Sequence, residues 1–278
     1  MCWFTDKKGF MTPDFSTHAN KARALPILAG KKGLIVGIAN DQSIAYGCAQ
    51  AMQALGATLA VTYFNAKAEP HVRPLAEQLG AEFIFPLDVE QPDQLTAVFA
   101  QLEQHWGRLD FVLHSIAYAP AADLHGRMVD SSVEGFARAM DVSCHSFIRM
   151  AKLAEPLMAS GGTLVTMSYY GAQKVIDHYG IMGPVKAALE SAVRYLAAEL
   201  GPAGIRVHAV SPGPIKTRAA SGIGDFEQLL VDAASRAPQH QLVTIADVGA
   251  VTAMLCSDAA RSLTGNVTYV DAGYHVMG

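Results

Sequence analysis

A chain of 278 residues with 51% hydrophobic composition is long enough to bury a substantial core and fits one large α/β domain without needing two. Charged residues make up 17% and the formal net charge is -4, which excludes the basic field that a nucleic acid or an anionic membrane requires of its partner. Cys2, Cys48, Cys144 and Cys256 form no CxxC pair, which argues against a disulfide framework or a zinc site; with no apolar run of ~18 residues and no signal-like start, the chain reads as cytoplasmic.

Residues 1–28 mix Lys7, Lys8, Pro13, Asp14, His18 and Asn20 without a period and read as a loosely ordered N-terminal extension. The domain is expected over 29–278. "GLIVGIA", from Gly33, is a short, wholly apolar run ending near glycine, the signature of a parallel strand covered on both faces. "SIAYGCAQAMQALG" follows with helical spacing. The strand-helix turn lacks the GxGxxG pattern, yet its physical requirements can be met otherwise. Gly37 permits the tight turn, Ser43 caps the helix with its hydroxyl near a phosphate, and small Ala45 and Gly47 let helix and strand approach. Ile38 and Ile44 flank the same turn and join the cofactor set. An ordinary serine-capped turn is the alternative.

Strand two, "ATLAVTYF", ends at Phe64, Asn65 and Lys67, where an acidic residue would normally accept the ribose hydroxyls. NADH is the preferred cofactor, with NADPH left open by Lys67. Strand three, "AEFIFPLDV", ends at Asp88 and Val89, suited to the adenine amino group and ring; the alternative for Asp88 is the N-cap of the next helix, "PDQLTAVFAQLEQHWG". Runs at "LDFVLHSIA", "GGTLVTMSYY", "IRVHAVSPG" and "NVTYVDAG" complete seven strands. Alternation with helices predicts right-handed βαβ units and a doubly wound, Rossmann-type parallel sheet, with ligands beyond the strand carboxyl ends.

With these segments in order, the chain over about 29–276 resembles the short-chain dehydrogenase/reductase superfamily, and within it the divergent branch of type I enoyl-acyl carrier protein reductases. The segments that carry the resemblance are "GIANDQSIAYG", "LDV", "HSIAYAP", "SYYGAQKVIDHYGIMGPVKAALE", "SPGPIKTRAASGI" and "LTGNVTYVDAGY". The common superfamily pattern is YxxxK, but Met182 stands four before Lys186 and the tyrosine is Tyr179, seven before it. On a continuous helix a spacing of seven returns to within about 20° of the same azimuth. Pro184 is tolerated only in a first turn, so the regular helix is predicted to begin within about one turn before it, with Tyr179 at or ahead of its start.

The resemblance implies an enzyme that adds hydride to the β-carbon of a trans-2-enoyl thioester in fatty acid biosynthesis, with Tyr169, Tyr179 and Lys186 as the active-site set. Tyr179 would donate to the thioester oxygen, and Lys186 would hold the nicotinamide ribose and make the nearby phenol more acidic. Tyr169 would shape the pocket and assist protonation. Further implied cofactor contacts are Ser115, Ile116 and Ala117, then Ile215, Lys216, Thr217, Arg218 and Ala219. Substrate contacts are Ala119, Met182 and, in a lid at about 214–232, Ala219, Ile223 and Phe226. The run Gly224, Asp225, Phe226, Glu227, Gln228 departs from the basic segment that meets acyl carrier protein in this branch, so Lys216, Arg218 or Arg149 would supply the charge, and a coenzyme A thioester stays open. A homotetramer is also implied. The rivals are a 3-oxoacyl (carbonyl) reductase, which needs a tyrosine at 182, and a non-catalytic dinucleotide sensor.

Overall fold

Seven strands run in one direction and stack in the order β3-β2-β1-β4-β5-β6-β7. They are β1 (Lys32–Val36), β2 (Thr58–Tyr63), β3 (Phe83–Pro86), β4 (Phe111–His114), β5 (Gly162–Met167), β6 (Ile205–Pro212) and β7 (Val267–Val270). The helices are α1 (Ile44–Ala54), α2 (Glu69–Gln78), α3 (Pro92–Trp106), α4 (Ala121–His125), α5 (Val133–Met140), α6 (Ser146–Ala154), α7 (Met182–Leu200), α8 (Phe226–Arg236) and α9 (Ile245–Cys256). This computed structural model describes residues 25–217 and 226–277. All seven predicted strands are present, and the sheet reverses its winding between β1 and β4, where the carboxyl ends open a crevice.

The reason the central strands carry no regular polar phase is visible in the register. Leu34 pairs with Ala60 and Val112, and all three face a core formed with α3, α6 and α7. Their chain neighbours Ile35, Val61 and Leu113 face the opposite core, against α1, α2 and α9. Successive side chains therefore alternate between two buried faces, and no polar phase is left for an alternating pattern. Leu28, counted with the extension from sequence, is fully buried in the second core, and its N–H donates to Leu55 O at 3.0 Å.

Two local features differ from expectation. Gly47 does not serve contact between helix and strand: a Cβ there would stand 2.4 Å from Ile245 O, and one at Gly249 2.4 Å from Gly47 O, so the missing side chains let α1 and α9 touch backbone to backbone. Between α5 and α6 the helix widens into one π turn, Asp141–His145, which inserts a residue and re-aims the following face. Pro184 behaves as predicted, as the third residue of α7, where its absent N–H has no helical partner to lose. Cys48, Cys144 and Cys256 are buried free thiols.

Candidate functional site

The crevice begins at the turn after β1. Gly37 takes φ 114°, and a Cβ there would lie 2.1 Å from Ser115 O at the end of β4, so a glycine is required where the two strand ends cross. Ser43 does not cap α1 through its side chain. Instead its Oγ accepts from the N–H groups of Ala39 (3.0 Å) and Asn40 (3.1 Å) and donates to Asn40 Oδ1 (3.2 Å). The loop's own N–H groups are closer to the hydroxyl than the helix is, so the serine braces the turn. Ile38 is core, whereas Ile44 reaches the cavity over the ends of β4, β5 and β6.

At the neighbouring strand ends, Phe64 is 55% exposed and Lys67 is exposed. Asp88 is half-buried, and its Oδ1 accepts from Glu90 N at 3.0 Å. The N-cap of α3 is Gln91, which disposes of the capping alternative for Asp88. Val89 is buried beside it. These residues stand apart from that cavity, at the outer end of the same crevice.

A cavity of about 340 Å³ opens over the ends of β4, β5 and β6. Eleven of the sequence-predicted residues line it: Ile44; Ser115, Ile116, Ala117 and Ala119 after β4; Tyr169 after β5; Tyr179, Met182 and Lys186 around the start of α7; and Ile215 and Thr217 after β6. Tyr118, Leu124, Met167, Ser168 and Pro212 through Pro214 were missed, although all but Leu124 lie within or beside strand-end segments quoted above.

Tyr179 precedes α7 rather than lying on it, so its approach to Lys186 does not come from a shared helical face. A turn does this work: His178 and Gly180 on either side take φ 61° and 50°, and they swing the tyrosine back over the helix start. Its ring is buried against Ala139, Ile181 and Val185, and meets the ring of Tyr169 edge to face at 4.9 Å. The Tyr169 hydroxyl is buried with no hydrogen-bond partner among the described residues. Burial pushes both phenols well above the ordinary tyrosine range, and for Tyr179 the neighbouring Tyr169 and Glu190 add to it. At Tyr179 desolvation is the largest influence, so the phenol is shifted up rather than down. Lys186 is 3% exposed, donates from Nζ to Met167 O at 2.7 Å, and is drawn down to about 8 by burial, against the opposing pull of Cys144 and Glu190.

Two polar contacts behind the cavity were not legible in sequence. Ser143, in the π turn, accepts from Tyr118 N at 2.8 Å and donates to Tyr118 O at 3.0 Å, fixing the loop that carries Ala117 and Ala119. His114, fully buried at the end of β4, has Nδ1 2.8 Å from Thr166 Oγ1 and Nε2 2.8 Å from Ser146 Oγ. Because Ser146 spends its proton on Val142 O (2.7 Å), the imidazole carries its proton on Nε2 and accepts at Nδ1 from Thr166. Burial and the charge of Lys186 lower its pKa to about 3, so it is neutral.

Arg218, Ala219 and Ile223 lie outside the described residues, as does the side chain of Phe226, whose backbone opens α8. Of the basic residues offered for carrier docking, the two that are described are engaged with neighbours. Lys216 pairs with Glu227, while Arg149 pairs with Asp141 and donates to Val89 O at 2.7 Å.

The sequence profile described as enoyl-(acyl carrier protein) reductase matches residues 37–275. An enoyl-acyl-carrier-protein reductase (NADH), FabI, of Rickettsia felis is 46% identical over 91% of this chain and 97% of its own length. Enoyl-acyl-carrier-protein reductase (NADH) 1 of Rhizobium meliloti is 47% identical over 92% of this chain and 94% of its own. Among solved structures, the reductase of Anaplasma phagocytophilum in complex with NAD superposes with a TM-score of 0.89 at 46% identity, covering 92% of this chain and 98% of that one.

Proposed function

The chain belongs to the enoyl-(acyl carrier protein) reductase family, and from that premise we propose that it uses NADH to reduce the trans-2 double bond of enoyl thioesters carried by acyl carrier protein. The observation that carries this reading is the residue arrangement at the head of α7. Met182, where a carbonyl reductase needs its tyrosine, lines the cavity as an apolar wall, while Tyr179 and Tyr169 bring two hydroxyls to the same space as Lys186. A dinucleotide suits this chain's own groups: among the described residues one Nζ donor of Lys186 is engaged by Met167 and two remain, the Tyr169 hydroxyl has no partner, and Gly37 keeps the first strand end open.

NADH, when bound, supplies the hydride that adds to the β-carbon of the enoyl thioester. The protein's part is to orient, to exclude water and to receive charge. As negative charge gathers on the thioester oxygen, the Tyr179 hydroxyl donates to it; one such donor is worth ~3 kcal/mol of transition-state stabilisation. Its raised pKa keeps the phenol protonated across the neutral range, so it is a fixed donor in every turnover. Lys186 holds ribose hydroxyls with its free N–H groups, anchored by Met167 O. Tyr169 packs against Tyr179; in this reading it shapes the pocket and assists the protonation step. Gly37, the Ser43-braced turn, Ser115 through Ala117 and Ile215 through Ala219 form the dinucleotide contacts, with Phe64, Asp88 and Val89 toward adenosine. Ala119, Met182, Ile223 and Phe226 contact the acyl chain. The same reading takes residues 29–278 as the catalytic domain of a cytoplasmic homotetramer, which light scattering tests.

Absorbance at the nicotinamide band, followed with crotonyl thioesters and NADH or NADPH, is the direct assay. Faster oxidation of NADH than of NADPH is expected. Turnover of 3-oxoacyl but not enoyl thioesters would overturn the reading.

A further inference from the structure

Glu190 takes no part in the mechanism above, yet it is 4% exposed and lies one helical turn beyond Lys186 on α7. It makes no ion pair among the described residues. Its Oε1 accepts from Ser168 Oγ at 2.6 Å and its Oε2 from Gln173 Nε2 at 3.4 Å. One turn earlier, Lys186 Nζ holds Met167 O. Side chains four apart on α7 thus grip two consecutive residues at the end of β5, and the next residue in the chain is Tyr169. Gln173 stands beyond the 3-10 turn Tyr170–Ala172, so the carboxylate ties that turn at both ends.

A neutral glutamine would still accept from Ser168, though more weakly and with an NH2 in place of the oxygen that meets Gln173, and a buried charge is costly to keep. The charge therefore needs a use beyond the two hydrogen bonds. The groups around Lys186 are the Cys144 thiol from the π turn, neutral His114 from β4 and, lining the same cavity, the phenols of Tyr169 and Tyr179. Cys144 and Glu190 both pull against the burial of Lys186, Glu190 being the carboxylate of the two, and Tyr269 lies near Glu190 from β7. We propose that Glu190 is a positioning residue for the reduction: its carboxylate fixes the turn that presents Tyr169 and is the buried counter-charge that keeps Lys186 cationic. This rests on the roles of Lys186 and Tyr169 set out above. The lysine is already drawn down to about 8, so loss of the counter-charge moves it further into the working pH range.

Three variants separate the two duties. Glu190→Gln keeps an acceptor for Ser168 and removes the charge; Ser168→Ala keeps the charge and removes the grip; Glu190→Asp keeps the charge and withdraws it by one methylene. Each is assayed for kcat, KM and NADH affinity across pH, with melting temperature as the control for folding. Glu190→Gln is expected to lower kcat about tenfold with KM for the enoyl thioester little changed, and to move the alkaline limb of both kcat and NADH affinity down by about one pH unit. Ser168→Ala and Glu190→Asp are expected to lower kcat without moving that limb. An alkaline limb of Glu190→Gln that coincides with the unaltered protein overturns the proposal. If Glu190→Gln does not fold, the other two decide: unaltered kcat in both overturns it. Failure of the unaltered protein to reduce enoyl thioesters is a separate outcome, which strikes the functional reading itself.

Discussion

Raising the pH is expected to stabilise the ligand-free protein while it removes activity, and both effects trace to Lys186. In the unfolded chain its amine titrates near 10.5; in the fold, burial brings it to about 8. Between those values the unfolded state binds a proton that the native state has released, so stability rises with pH across the interval. Below about 8 both states are protonated and the folded protein carries the full penalty of a buried cation, eased by Glu190 and Cys144. At about 1.4 kcal/mol for each pH unit, the interval corresponds to a gain on the order of 3 kcal/mol. Lys186→Met supplies the comparison, because it fills the same space without a titrating group but leaves Met167 O unpaired, a loss of about 1–3 kcal/mol. The assay is urea unfolding followed by circular dichroism, from pH 7 to 10.5, on both proteins. The unaltered protein should gain on the variant by on the order of 3 kcal/mol over the interval, while its kcat/KM falls through pH 8 as the lysine loses its charge. Parallel stability curves would refute the reasoning, since they would mean that Lys186 is not held in a costly charged state.

Tyr179→Phe keeps the buried ring and deletes a hydroxyl that makes no hydrogen bond among the described residues, so melting temperature should hold while kcat falls about 10²–10³-fold; steady-state kinetics beside a thermal melt check both halves. Gly47→Ala drives a Cβ to 2.4 Å from Ile245 O and must part α1 from α9, at about 1–3 kcal/mol read from urea midpoints. His114, with a folded pKa of about 3 against an ordinary 6.5, contributes stability that is complete above pH 6.5 and is lost as pH falls toward 3, because the unfolded chain takes up the proton first. Nitrogen NMR of the imidazole should show the neutral Nε2–H form still present at pH 5; a protonated ring there would contradict the Ser146 and Thr166 geometry.

How far the sequence could be read depended on whether an interaction is local. The strands were legible because runs such as "GLIVGIA" carry no polar phase, which only a sheet buried on both faces allows. Pro184 marked the start of α7 because a proline beyond the first turn costs ~3 kcal/mol, whereas in the first turn it loses no helical hydrogen bond. Contacts between segments distant in the chain were not legible. Gly47 looks like a fingerprint glycine until Ile245 and Gly249 are seen against it. Ser43 has the residue type and place of a helix cap, yet its hydroxyl finds the nearer N–H groups of Ala39 and Asn40. The spacing of Tyr179 and Lys186 suggested a shared helical face, and the observed meeting is made instead by left-handed residues at 178 and 180, which no periodicity reports. Ser143, His114 and Glu190 gave no signal at all, since each matters through a partner 20 or more residues away.

On the function proposed above, Tyr179, displaced from position 182, commits this cavity to reducing a carbon-carbon rather than a carbon-oxygen double bond. Incubating the protein and NADH with equal amounts of crotonyl and acetoacetyl thioesters, and resolving the products by mass spectrometry, tests it most directly. Butyryl thioester is expected as the dominant product; 3-hydroxybutyryl thioester in its place would contradict this role of Tyr179.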